Sequence, residues 1–114
     1  MYAILLDSSN TMLAVGIAKN GKILDTVSYE AWQQQSEYMV KELDGLLNKY
    51  EVKKEDIKDI MVAIGPGSYT GVRIAITIAK TLALALNIPI YPISSLQILK
   101  HGQKVWSLTL KTKN

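Results

Sequence analysis

The chain has 114 residues, of which 48% are hydrophobic and 20% charged, with a net charge of +3. That composition fits one folded domain and argues against a disordered chain. There is no cysteine, so disulfides, thiol nucleophiles and cysteine-ligated zinc are excluded, and a reducing compartment, the cytoplasm, is the expected location.

The start, MYAILLDSS, has no basic region and reaches Asp7 too early for a secretory signal. The longest uncharged run, residues 81–99, contains Asn87, Pro89, Pro92, Ser94 and Ser95, which a membrane helix would not carry. All ten acidic residues lie at or before Asp59. Residues 1–59 set them against seven lysines, net −3, and residues 60–114 carry Arg73 and five lysines, net +6. This pattern fits either a basic face for nucleic acid or a mostly buried second half with a basic tail. The cations are scattered singly, which favours the second reading.

Three apolar runs open the chain: Tyr2 to Leu6, Met12 to Ala18 and Lys22 to Tyr29. Asn20-Gly21 between the last two is a strong hairpin signal, since both residues accept positive φ. Asp7 to Thr11 supplies the other turn, so a three-stranded antiparallel meander is expected. Ser36 is placed to cap a helix, with Glu37 favourable in its first turn. Met39, Val40, Leu43, Leu46, Leu47 and Tyr50 then recur at helical spacing. Gly45 inside that helix costs about 1 kcal/mol against alanine, which points to close packing on its side. Glu51 to Asp59 reads as a charged loop with room for a helical turn, Asp56 and Asp59 being solvated.

Ile60 to Ile64 is continuously apolar, as in a central strand covered on both faces. Gly65-Pro66-Gly67-Ser68-Tyr69-Thr70-Gly71 follows as a tight turn, and a helix runs from about Thr70 to Leu86. Its polar positions are Arg73, Thr77, Lys80 and Thr81, so more than one side must be covered. Ala75, Ala79 and Ala83 form a small-residue stripe that allows close helix approach. Ile88 to Ile93 is a short strand among prolines. Leu96 to Lys100 reads as a last helical segment, and Gln103 to Asn114 as either an edge strand or a disordered tail. The order β-β-β-α-β-α-β, with a sheet order of 3-2-1-4-5, resembles a ribonuclease-H-like half.

The glycine turn sits where phosphate loops sit, after a strand and at a helix N-terminus. It fits neither phosphate fingerprint. The P-loop needs four residues between its glycines and then Gly-Lys-Ser/Thr, whereas here five intervene and Val72 follows Gly71. The dinucleotide pattern needs G-x-G-x-x-G and a later acid, whereas the spacing here is G-x-G-x-x-x-G and no acid follows Asp59. Gly65, Pro66, Gly67, Ser68, Tyr69, Thr70 and Gly71 are therefore read as a structural turn.

The stretch IGPGSYTGVRIAITIAKTLA, with LLDSSN, QQSEYMVKELDGLL and NIPIYPISSLQIL, resembles the bacterial tRNA threonylcarbamoyladenosine biosynthesis protein TsaB (YeaZ) family over residues 1–101. The resemblance implies the actin-like ATPase fold and a non-catalytic relative of the transferring subunit TsaD, with no cofactor or metal of its own. It implies binding to TsaD, a complex completed by the ATPase TsaE, homodimerisation when alone, and contact with tRNA only through the complex. Pairing would run through the two helices, with Ser36, Met39, Leu43, Leu46, Leu47, Val72, Arg73, Ala75, Ile76, Ala79, Leu82 and Ala83 as interface residues.

Two departures stand out. Residues 102–114 replace the entry to the relatives' second lobe, as in a truncated or frameshifted copy or a single-lobe variant. Gln35-Ser36 stands where relatives often have His-Ser. The resemblance also makes Asp7, Ser8 and Ser9 candidates for nucleotide contact, because this turn faces phosphate in ATP-binding members of the wider fold. The competing reading is a turn-capping Asp and Ser. His101, Trp32 and Trp106 are isolated, which supports neither a metal site, a triad nor a base-stacking platform. The functional expectation is a scaffold subunit. Its rivals are a nucleotide-dependent phosphotransferase or hydrolase half, and a remnant that only self-associates.

Overall fold

The computed structural model describes residues 1–9, 12–31, 34–63 and 69–93. Three strands come first, β1 (Tyr2–Ser9), β2 (Met12–Lys19) and β3 (Lys22–Glu30), followed by α1 (Gln35–Lys49). A 3₁₀ turn (Lys54–Asp56), β4 (Ile57–Ala63), α2 (Tyr69–Leu86) and β5 (Ile90–Ile93) complete the order. The sheet runs β3-β2-β1-β4-β5, as expected. β1, β2 and β3 pair antiparallel, while β4 joins β1 and β5 joins β4 in parallel. Asn20 (φ 53°) and Gly21 (φ 83°) make the two-residue turn between β2 and β3.

Both helices cover one face of the sheet. There Ile4, Leu6, Leu13, Val15, Ile17, Ile60 and Val62 pack with Met39, Leu43 and Leu46 of α1 and with Ala75 and Ala79 of α2. The other face gathers Ala3, Leu5, Ala18 and Met61, with Ile23, Tyr91 and Ile93 against them. β4 is thus buried on both faces from Asp59 to Ala63, which is why its residues show no alternation. Gly16 in β2 lets β3 lie close. A Cβ there would come 3.0 Å from Thr26 Cγ2 and 3.3 Å from the Asp25 carbonyl oxygen.

Both helices end with a residue in the left-handed region, Glu51 (φ 53°) after α1 and Asn87 (φ 56°) after α2. The next amide closes the motif in each case: Val52 N donates to Leu47 O at 2.9 Å, and Ile88 N to Ala83 O at 3.0 Å. Asn tolerates that conformation through its short polar side chain, and Pro89 then prevents any continuation.

Several local expectations are corrected. β4 starts at Ile57, three residues early, because its first turn of strand alternates buried Ile57 with exposed Lys58 beside charged neighbours. Asp59 is no solvated loop charge: it lies in β4 opposite Ala3, 8% exposed. Ser36 does not cap α1, since the helix begins at Gln35 and the cap residue, Gln34, makes no side-chain capping bond. Gly45 packs against nothing, with no atom within 4 Å of a Cβ placed there. Ile64 of the expected strand, residues 65–68 of the glycine turn, the segment Leu96 to Lys100, the tail 102–114, Trp32, His101 and Trp106 lie outside the described residues.

Candidate partner-binding face

Helix α1 turns Gln35, Met39, Leu43 and Leu46 inward, at spacings of four, four and three. Its opposite side shows Ser36, Glu37, Val40, Lys41 and Asp44, and Val40 is 53% exposed. Helix α2 buries Ala75 and Ala79 completely. Their small side chains bring α2 close to β1 and β4, and a larger residue would hold it off the sheet. Arg73, Thr77, Lys80 and Leu84 face outward along one stripe, with Leu84 87% exposed. Ile74 and Ile78 are half-buried beside that stripe.

This arrangement sorts the expected interface residues. Met39, Leu43, Leu46, Ala75 and Ala79 belong to the chain's own core and are closed to a partner. Leu47, Val72, Ile76, Leu82 and Ala83 are half-buried, on the flanks of their helices. Ser36 and Arg73 are exposed, and the fold brings them together. With Ile74, Thr77 and Ile78 they line a cavity of about 280 Å³ between the start of α1 and the first turns of α2. Sequence reasoning missed Val40, Ile74, Thr77, Ile78 and Leu84. The signal was present in α2, where polar positions 73, 77 and 80 mark the outward stripe and the alanines at 75 and 79 fall opposite.

Side-chain clamps set α1 on the edge strand. Tyr29 Oη donates to Glu42 Oε2 at 2.7 Å and meets the Tyr38 ring edge to face at 6.0 Å. Burial and the Glu42 carboxylate push the Tyr29 phenol up to about 12. At the far end, Asp25 Oδ2 accepts from Tyr50 Oη at 2.8 Å and Lys49 Nζ at 3.1 Å, and Asp25 Oδ1 accepts from the Thr26 amide at 2.8 Å. Burial pushes the Asp25 carboxyl up, but these hydrogen bonds and the Lys49 charge outweigh it and hold it below its ordinary value. A depressed carboxylate stabilises the fold above its unfolded value near 3.8, and that contribution is lost as pH falls through the lower folded value. Asp25→Asn should therefore melt up to about 4 °C below the parent at pH 7, the pair being partly solvated, and the gap should narrow as pH falls below 3.8. Melting curves above and below that value check this.

Asp7, Ser8 and Ser9 are not in a turn. They are the last residues of β1. Asp7 is 1% exposed and Ser8 is fully buried, and as neighbours in a strand they point to opposite faces of the sheet. Ser8 Oγ makes no hydrogen bond among the described residues. Magnesium on a nucleotide takes only one or two carboxylates beside phosphate oxygens and waters, and Asp7 offers one carboxylate. Among the described residues, no three His, Cys, Asp or Glu gather into a metal-binding group. No helix among the described residues is long and apolar enough to cross a membrane.

A family model described as TsaD, tRNA N6-adenosine threonylcarbamoyltransferase, matches residues 26–107. The chain belongs to that family. It is 37% identical to the tRNA threonylcarbamoyladenosine biosynthesis protein TsaB of Bacillus subtilis over 87% of this chain and 43% of that protein. A TsaB protein of Buchnera aphidicola is 32% identical over 89% of this chain and 47% of its own length. The structure of YeaZ from Pseudomonas aeruginosa superposes with a TM-score of 0.78 at 29% identity, covering 87% of this chain and 46% of that one. The resemblance to TsaB and YeaZ therefore holds, together with the actin-like, ribonuclease-H-like fold of the family. The chain spans less than half the length of these relatives. RuvC from T. thermophilus, with a TM-score of 0.57 at 14% identity, shares the fold alone.

Proposed function

We propose that this chain is a partner subunit in threonylcarbamoyladenosine modification of tRNA, without catalytic residues of its own. Its task is to bind the TsaD subunit and hold it in an active form, in a complex that includes the TsaE ATPase. In the absence of TsaD the same face pairs two copies, and tRNA is reached only through the complex. The cytoplasm, where tRNA is modified, is its place of action. The observation that carries this reading is the outer α1–α2 face, on a chain whose relatives carry the TsaB name. There Val40, Ile74, Ile78 and Leu84 leave apolar surface on two adjacent helices, around a cavity.

Co-expression with the TsaD subunit of the same cell, followed by sizing, tests it. The expected result is co-elution in one complex. Separate elution of the two proteins overturns it.

One observation favours a second reading, a nucleotide-dependent phosphotransferase or hydrolase half. Asp7 and Ser8 are buried polar residues at the carboxyl end of β1, where open α/β sheets place ligands. Calorimetric titration with magnesium-ATP separates the two. The partner reading expects no heat of binding, and clear magnesium-dependent binding favours the enzyme half.

A further inference from the structure

We propose that residues 94–114 lie across the sheet face opposite the two helices and complete the core there. On that face Leu5 and Met61 are fully buried, and Ala14 and Ala18 are at most 3% exposed. Alanine methyls standing on an open sheet cannot shield one another to that degree, so another layer lies over them. Both helices pack on the other face, and no described helix or strand lies on this one. These exposures hold in a single copy of the chain, so the cover is neither a second copy nor a partner. Outside the described residues there are only the short pieces 10–11, 32–33 and 64–68, and the 21 residues from Ser94 to Asn114. Only the last stretch is long enough to cover a sheet.

Its place and its chemistry fit the face. β5 ends at Ile93, opposite Ala63 of β4, so the segment sets out from the edge of the surface it covers. β2 lies three strand spacings from β5, about 14 Å. Residues 94–101 span about 12 Å as a helix, so residues 102–114 carry the cover over β2. Leu96 and Leu99 fall on one side of a helical turn, and Trp106, Leu108 and Leu110 on one side of an extended chain. Small side chains at Ala3, Ala14 and Ala18 let such a layer approach closely. The face also buries two acids, Asp7 and Asp59, both engaged within the chain, and no cation is buried among the described residues. Residues 94–114 carry four lysines and no acid, so the cover brings charge of the sign that buried carboxylates need. The tail 102–114, read from sequence as an edge strand or a disordered end, is thus part of the core.

Solution NMR of the full chain tests this. Methyl contacts are expected from Leu96, Leu99 and Leu108 to Leu5, Ala18 and Met61, and none between chains in a mixture of labelled and unlabelled protein. Random-coil shifts over residues 94–114 overturn the proposal, as do contacts that run only between two copies or only to the helices. A second measurement uses the lack of native cysteine. Ala18→Cys should react with a small thiol reagent at least about 100-fold more slowly than Leu84→Cys, and fast reaction of both would show an open face. Adding Trp106→Asp with Leu108→Asp should raise the Ala18→Cys rate at least about ten-fold, or unfold the chain as judged by circular dichroism. A loose tail would accept both acids, so an unchanged rate and an unchanged melting curve overturn the proposal.

Discussion

Ala79→Arg is expected to unfold the protein. Ala79 is fully buried, on the side of α2 that meets the sheet. Arginine at that position must either bury an uncompensated charge or lift α2 off β1 and β4. Leaving a charge unpaired in a core costs about 3–5 kcal/mol, and the excess volume adds about 1–3 kcal/mol. A domain of this size has about 5–15 kcal/mol in total, so the loss removes most of its stability or all of it. Circular dichroism should show no cooperative melt above room temperature, or a midpoint lowered by tens of degrees. A variant that melts like the parent would mean that this side of α2 is not core. Leu84→Arg is the matched control. Leu84 lies on the opposite side at 87% exposure, so the same charge there should leave the melting point within a few degrees of the parent.

Met39→Ala carries the second large effect, in α1. Met39 is fully buried in the cluster shared by both helices and the sheet. Truncating a buried methionine removes its contacts and leaves a void that its neighbours fill only in part, at a cost of about 2–5 kcal/mol. Chemical denaturation should show a lower midpoint with an unchanged slope, since the folded state loses packing but not extent. Below that midpoint, the variant should still capture the partner subunit, because Met39 does not reach the outer face. Lost capture at full folding would return Met39 to the interface.

Both predictions turn on a point the amino-acid pattern states only by halves. Periodicity identifies Met39, Leu43 and Leu46 as one side of a helix, and Ala75, Ala79 and Ala83 as another, but not what each side meets. For α1 the polar residues between them settle the matter. Helix α2 has few polar residues, so its apolar excess suggests an outer contact without saying which residues make it. The excess is real, but it lies at Ile74, Ile78 and Leu84, and the alanines serve the sheet. Strand order was legible because Asn20-Gly21 forces a hairpin and handedness places β4 beside β1. The start of β4 was not, since Lys58 and Asp59 look like loop and only the pairing with β1 makes them strand. Asp7 and Ser8 misled for a related reason. Polar residues before a hairpin suggest a turn, yet β1 runs on through them to Ser9 opposite Met12.

The parallel pairing of β1 with β4 bears on how the chain is made. Tyr2 pairs with Ile57, 55 residues later, and α2, the helix that packs on β1, comes later still. On a ribosome adding about 5–20 residues per second, the meander, complete at Glu30, is made about 2–7 s before β4 is finished at Ala63, 33 residues later. During that time Ile4, Leu5 and Leu6 form an apolar edge with open backbone groups, suited to pairing with another nascent copy. Closure waits on a contact distant in the chain, which slows folding more than local hairpins do. Yield on overexpression should therefore be limited by aggregation during synthesis, at a step earlier than any assembly with a partner.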